Sequence, residues 1–438
     1  MSRERRGRMV LTLFAAVAGY HHGGWRRPDS GAEHWGDLEP ISEMVRRAEQ
    51  AKLHAVFWAD VLSANPLYEG SVSLPSQYEP ITTLAALAPL TERIGLIGTA
   101  STTFSHPYTV ARQFNMLDRL SGGRAGWNIV TSYMGNENYG LEEMPDAAAR
   151  YRQAREFVEV SRRLWESWDE DAVIADRAAG RWIDPARLHR IDHRGEFYTV
   201  QGPLNLRRSP QTGPVLVQAG SSGPGMDLGA SFAEIVYTAQ HEREDAIDFY
   251  ARYKEVVVAK GRAADEVALL PGTVPIIGDT EAEAKEIAAE LAGYIDYEQG
   301  RKLVGRILGI DVSDLDLDDP IPAERFAGVN PAAVMQSRTG AAGARVLAQG
   351  WTLRRLIVDQ GRGGGHHWIV GSAEQVADEM IDWFEHGGCD GWIINPPSAP
   401  AGFRAITDKL VPLLQERGYF HDDYEGATLR ENLQAARA

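Results

Sequence analysis

The sequence predicts an α/β protein: a (β/α)8 barrel of the TIM type, carrying insertions. Three observations predict it. Short apolar runs alternate with amphipathic runs of helix length along most of the chain, and that alternation makes a parallel sheet. Eight such units can be counted, the number that closes a barrel. Polar residues also gather near the carboxyl ends of the runs, at Asp60, Thr102, Asn128, Ser221 and Ser222, the face on which barrels carry their sites. The 438 residues are long for one ordinary domain, but inserted barrels exceed about 400 residues, so the expectation is one domain over 1–438. A doubly wound open sheet is the alternative.

Taken in order, Val10–Val17 is the first strand. The basic residues Arg3–Arg8 before it imitate a secretory signal, but Gly19-Tyr20-His21-His22-Gly23-Gly24-Trp25 directly after it reads as a site loop beyond a strand. Asp37–Lys52 is a helix with Ile41, Met44, Val45 and Ala48 on one face. The strand Ala55–Trp58 closes on Ala59-Asp60, and Pro80–Leu90 is a helix with proline at its first position, where no N–H is needed. Gly95–Thr99 is a strand running into Ala100–Thr103, and the helix Pro107–Leu120 is stopped by Gly122-Gly123. Trp127–Thr131 follows as a strand that delivers Asn128, Thr131 and Ser132. The alternation continues with helix Ala148–Trp165, strand Val215–Ala219, helix Met226–Ala233, strand Ile235–Tyr237, helix Ala246–Lys260 and strand Val267–Ile277. Helix Ala373–Glu385 opens on the capping box Ser372/Gln375. Strand Gly391–Ile394 and helix Phe403–Glu416 end the series. Segments near 169–206 and 294–342 break the alternation and read as insertions, the first containing the hairpin-like stretch His193–Val200.

A hydrophobic fraction of 44% with 9% aromatics describes a folded chain. The net charge of −16 opposes nonspecific nucleic-acid binding, which needs excess Lys and Arg. The lone Cys389 allows no intrachain disulfide and matches a reducing, cytoplasmic setting. No run reaches the roughly 18 apolar residues of a membrane span.

Asp314-Leu-Asp-Leu-Asp318 imitates a calcium loop, but Asp319 replaces the glycine and Arg325 the glutamate that such a loop requires, so calcium is rejected. The pairs His21-His22 and His366-His367 offer one ligand each at most, because neighbours in a strand face opposite ways; no metal is expected. Gly220-Ser-Ser-Gly-Pro-Gly225 lies between a strand and a helix, the geometry in which free backbone N–H groups and hydroxyls capture an anion. It is neither a Walker loop nor a dinucleotide fingerprint. Gly361-Arg-Gly-Gly-Gly-His366 has no strand before it and reads as a mobile loop or substrate-side lid.

The run from His106-Pro-Tyr-Thr-Val-Ala-Arg-Gln-Phe114 through Leu117-Asp-Arg-Leu-Ser-Gly-Gly-Arg-Ala-Gly-Trp-Asn-Ile-Val-Thr-Ser132 resembles the signature of bacterial luciferase-like flavin monooxygenases. It is most similar to the branch of nitrilotriacetate monooxygenase component A. Phe57-Trp-Ala-Asp60, Pro214–Ser222, Val370–Asp378 and Tyr424–Asn432 extend the resemblance across the chain. It implies a barrel that binds FMN at its carboxyl rim. A separate NAD(P)H:flavin reductase would supply reduced FMN, and O2 would oxygenate a small organic substrate through a flavin (hydro)peroxide. Carried over by position, Asp60, Thr102, Asn128 and Tyr151 surround the isoalloxazine and ribityl chain, Ser221 and Ser222 hold the phosphate, and His21 and His366 are polar, catalytic candidates near the flavin. An apolar pocket is expected around Trp25, Phe57 and Tyr133, and a homo-oligomer, dimer or tetramer, is implied. One departure is Ala147, where the family often has His. A deazaflavin (F420) oxidoreductase on the related barrel and a noncatalytic flavin-binding protein are the alternatives.

Overall fold

In a computed structural model, residues 7–64, 78–326, 346 and 349–437 are described. Thirteen strands are β1 Val10–Phe14, β2 Ala55–Trp58, β3 Gly95–Ser101, β4 Ala125–Val130, β5 Val173–Asp176, β6 Arg181–Ile183, β7 His193–Arg194, β8 Thr199–Val200, β9 Val215–Gln218, β10 Ile235–Thr238, β11 Ala268–Gly278, β12 His367–Ser372 and β13 Gly391–Ile394. The helices that follow barrel strands are α1 Leu38–Gln50, α2 Pro80–Leu87, α3 Pro107–Leu120, α4 Ala147–Trp165, α5 Gly223–Phe232, α6 Arg243–Ala259 and α7 Glu281–Gly293. β13 is followed by a helical stretch, Ala401–Glu416, built of three pieces.

Eight strands close in the order β1-β2-β3-β4-β9-β10-β11-β13, and every neighbouring pair is parallel. These are the eight runs read from the sequence. Side chains alternate across this wall, as the twofold period of a strand requires. Leu11, Leu13, Val56, Trp58, Trp127, Ile129 and Trp392 pack outward under the helices. Val10, Phe14, Phe57, Ile97, Val217, Tyr237, Leu270 and Ile393 fill the barrel. A last helix, Leu429–Arg437, seals the amino end of the barrel with Leu429, Leu433 and Ala436.

Three local readings need correction. The first strand ends at Phe14, because the chain turns at Ala15–Ala18 and reaches Gly19 at φ 91°. A ninth strand, β12, was not read at all. It pairs in parallel with the outer half of β11, Thr273–Gly278 against His367–Ser372, outside the closed ring. The Gly361–His366 loop has no strand before it, as read, but follows the helix Leu353–Gly361 and leads into β12. The signal was weak because β12 has only Trp368, Ile369 and Val370 as an apolar core and ends at a helix cap. The helix read as Phe403–Glu416 carries a π-helical turn at Ile406–Leu410. Pro412 has no N–H to offer Asp408, so the turn widens where that bond is missing.

The segment near 169–206 forms two small antiparallel ribbons, β5–β6 and β7–β8. The segment near 294–342 contributes the helix Tyr297–Leu308 and a satellite core with Ile310, Val312, Trp351 and Leu356; its part 327–342 lies outside the described residues. Among the described residues, no helix is long and apolar enough to cross a membrane.

Candidate active site at the carboxyl rim

The inward residues of the central strands turn polar toward the rim. Asn128 of β4 donates from Nδ2 to Thr99 Oγ1 of β3 at 2.9 Å, and the Thr99 hydroxyl donates to the carbonyl of Trp58 at 2.7 Å. That chain fixes the amide orientation, since the Thr99 hydroxyl has already spent its proton. Asn128 Oδ1 is left buried and without a donor among the described residues. Such an acceptor is costly unless a ligand completes it, and the pyrimidine edge of an isoalloxazine carries an N–H of the right kind. Just beyond, the hydroxyls of Ser132 and Ser101 are bonded at 2.8 Å.

Thr102 lies directly beyond the end of β3. It is fully buried, and its hydroxyl donates to the Val130 carbonyl at 3.2 Å, tying β3 to β4 below the rim. Asp60, beyond β2, is half-buried. Its carboxyl is pushed up to about 6 by burial first and by Glu79 second, with the Val61 N–H opposing.

A second polar end lies at the start of α5. Ser222 is its N-cap and accepts from Gly225 N–H at 3.3 Å. Tyr151, in the first turns of α4, reaches it: Tyr151 Oη and Ser222 Oγ are 3.4 Å apart. Ser221 stands beside the cap, half-buried. A β-carbon on Gly223 would meet nothing within 4 Å, so the space before the helix is open. Tyr151 thus meets Ser222 at the start of α5. Ala147, the first residue of α4, lies one turn before Tyr151. Arg150 bonds the Thr131 and Ser132 carbonyls, fastening the rim beyond β4 to α4.

On the opposite side, Phe14, Phe57 and Tyr237 form the aromatic floor of the mouth, with Phe14–Phe57 centroids 5.4 Å and Phe57–Tyr237 centroids 4.9 Å apart. Tyr20 packs edge-on against Phe14 at 4.9 Å and is hydrogen-bonded to His366 Nε2 at 3.1 Å. Tyr20 was missed by sequence reading. Its only signal was its place beside the His pair, and its partner lies 346 residues away in sequence. His21 is buried, and its Nδ1 accepts from Gly23 N–H at 3.0 Å. His22 N–H donates to the Gly361 carbonyl at 3.0 Å, strapping the loop after β1 to the glycine loop. The neighbouring His367 turns away, between Glu379 at 2.5 Å and the Trp383 ring at 4.5 Å. Of the three residues expected to enclose a pocket, Phe57 is in this floor, Trp25 lies on a short 3-10 turn, and Tyr133 is 48% exposed. Among the described residues, no group of three or more His, Cys, Asp or Glu is arranged to hold a metal.

The barrel thus carries an undonated amide oxygen on β4 and, at the carboxyl end of β9, an open helix start of the kind that suits an anion. The chain belongs to the luciferase-like monooxygenase family, whose model matches residues 10–391. It is 41% identical to N-acetyl-S-(2-succino)cysteine monooxygenase of Bacillus subtilis (strain 168), covering 98% of this chain and 97% of that protein. It is 38% identical to nitrilotriacetate monooxygenase component A of Aminobacter aminovorans, again over 98% and 97%. Among solved structures it is similar to a riboflavin lyase with modified FMN and riboflavin, with a TM-score of 0.85 and 29% identity over 97% of this chain and 95% of that one. The protein is an enzyme of the flavin-dependent, oxygenating class.

Proposed function

We propose that the chain uses reduced FMN, delivered by a separate NAD(P)H:flavin reductase, to oxygenate a small organic substrate with O2. The observation that carries this reading is the pairing of Asn128 Oδ1, an orphaned acceptor at the mouth, with the open, capped start of α5 at Ser222. Asn128 receives the flavin's ring N–H. Ser221, Ser222 and Tyr151 bind its phosphate, helped by the N–H groups and dipole of α5. Asp60 borders the ring edge. Thr102 acts from beneath, by holding β3 and β4 in register. His21 and His366 face the oxygenation side over the aromatic floor, which keeps water from the reacting centre. Reduced FMN, when bound, supplies the electrons that activate oxygen. The riboflavin lyase with modified FMN and the designation of one relative as a component A support the cofactor and the two-component arrangement. The same reading takes 1–438 as one barrel domain, working in the cytoplasm as a homo-oligomer.

The test is anaerobic binding of reduced FMN and reduced F420 to the purified chain, followed by mixing with oxygenated buffer. Tight binding of reduced FMN, and its slower, multiphasic reoxidation on the protein than in free solution, is expected. Preference for F420, or reoxidation identical to that of free FMN, overturns the proposal.

A further inference from the structure

Across the mouth from Ser222, a third polar end is built on the glycine loop. Ser222 follows β9, the fifth strand of the ring, whereas His21 follows β1, four strands round it, and Arg362 joins His21 from the loop before β12. The Arg362 guanidinium lies 4.9 Å from the centre of the Trp368 ring, and the Trp368 indole N–H donates to the Arg362 carbonyl at 2.7 Å. His21 packs on the same indole, with ring centroids 6.1 Å apart. One aromatic ring therefore carries both a guanidinium and an imidazole, close enough for the Arg362 charge to act on His21.

Both are donors in want of an acceptor. Arg362 is half-buried; Asp359 and Tyr297 act on it only through space, and its buried Nε has no hydrogen-bond partner among the described residues. The face of Trp368 attracts the cation, but it accepts no hydrogen bond in the guanidinium plane. His21 Nδ1 is an acceptor toward Gly23 N–H, so the proton of the neutral ring sits on Nε2. Nε2 is buried and has no acceptor among the described residues. Burial, then the charges of His22 and Arg362, hold this imidazole neutral, with its pKa pulled down to about 3. A neutral N–H beside a permanent cation suits a group with two coplanar acceptor oxygens and a negative charge. The flavin phosphate is served at the other side of the ring, by Ser222 and Tyr151.

We propose that Arg362 and His21 bind a carboxylate of the substrate, which places the substrate among organic acids oxidised at a centre held over the Phe14–Phe57 floor. This rests on the rim being the oxygenating site. Gly363 permits the arrangement: a β-carbon there would lie 2.5 Å from the Tyr20 ring, so the loop carrying Arg362 closes against Tyr20 only with glycine at that position.

The experiment is calorimetric titration of the FMN-loaded full chain with propane-1,2,3-tricarboxylate and, separately, with its neutral trimethyl ester. The acid is expected to bind and the ester not. Arg362→Gln should raise the Kd for the acid by about tenfold or more, Arg362→Lys by less, with the FMN Kd unchanged in both. Binding of the ester as tight as that of the acid, no binding of the acid, or unchanged acid affinity in Arg362→Gln overturns the proposal. So does a Gln variant that loses FMN and keeps the acid, because Arg362 would then serve the cofactor. Failure of the wild-type chain to bind FMN is read in its own titration and counts against the oxygenase reading.

Discussion

The imidazole of His366 occupies the space that a β-carbon on Gly272 would fill. Gly272 lies inside β11, between Leu270 and Val274, both of which fill the barrel. Its missing side chain is therefore what lets His366 lean into the mouth and meet Tyr20. Gly272→Ala is predicted to push the ring off Tyr20, at a cost of about 1–3 kcal/mol for overpacking. Turnover should fall while FMN affinity holds, and the melting temperature should drop. Gly293→Ala, whose β-carbon meets nothing within 4 Å, is the matched control and should leave both unchanged. Equal turnover in the two variants would separate His366 from the reaction.

Tyr151 and Ser222 make a different prediction, because their hydroxyls meet at the helix start. Ser222→Ala removes both a cap, worth roughly 0.5–2 kcal/mol to α5, and a donor to the phosphate. Tyr151→Phe removes only a hydroxyl. Each should weaken FMN binding in a fluorescence titration, and the double variant should lose less than the sum, since the groups share one contact. Riboflavin, which lacks the phosphate, should bind the variants and the parent chain alike. A matching loss for riboflavin would move the pair away from the phosphate.

Asp60 sets a pH signature. Its folded pKa of about 6 lies above the ordinary carboxyl value of 3.8, so the folded state holds the proton more tightly. Stability from this group is full below pH 3.8 and is lost as pH rises through 6. Asp60→Asn should therefore raise the melting temperature at pH 7 to 8, with the gain vanishing as pH approaches 4. A gain that persists at pH 4 would mean that burial of the charge is not what strains this site.

How much of this was legible without coordinates follows from the range of each signal. The eight ring strands and their helices rest on local periodicity, and runs such as Ala55–Trp58 and Pro107–Leu120 show it plainly. The strand expected at Trp127–Thr131 is found as Ala125–Val130 with Asn128 inward, and polar residues at a strand's carboxyl end are a local anomaly that the sequence displays. What stayed hidden depends on distant contacts. Tyr151 is expected around the isoalloxazine and ribityl chain, and its contact with Ser222, made by α4 across 71 residues of sequence, is not signalled locally. The bond from the Thr102 hydroxyl to the Val130 carbonyl joins residues 28 apart in sequence and has no local signal. The Gly272–His366–Tyr20 packing joins three parts of the chain, none of which signals the others.

His54 and His421 stack at 4.4 Å near the amino end of the barrel and form the last test. His54 Nδ1 accepts from Leu11 N–H at 3.2 Å, and His421 bonds the Lys52 carbonyl at 2.6 Å. Phe420 and Tyr424 enclose the pair, with ring centroids 5.5 Å from His54 and 5.6 Å from His421 respectively. Burial is the first cause holding both pKa values below the ordinary imidazole value of 6.5, and Arg8 adds to it for each. Below pH 6.5 the unfolded chain thus takes up protons that the folded one refuses, so this contribution is full above 6.5 and is lost as the medium acidifies. Two such groups give a slope of up to about 2.7 kcal/mol per pH unit. Asp60, titrating at about 6, opposes the limb between pH 6.5 and 5 and His21, held neutral by burial, adds to it, so the share of the stacked pair is read as the difference between variant and parent chain. His421→Gln keeps a donor for Lys52 and removes one titrating ring. It should flatten that limb in thermal unfolding, and an undiminished slope would assign the acid sensitivity to other groups.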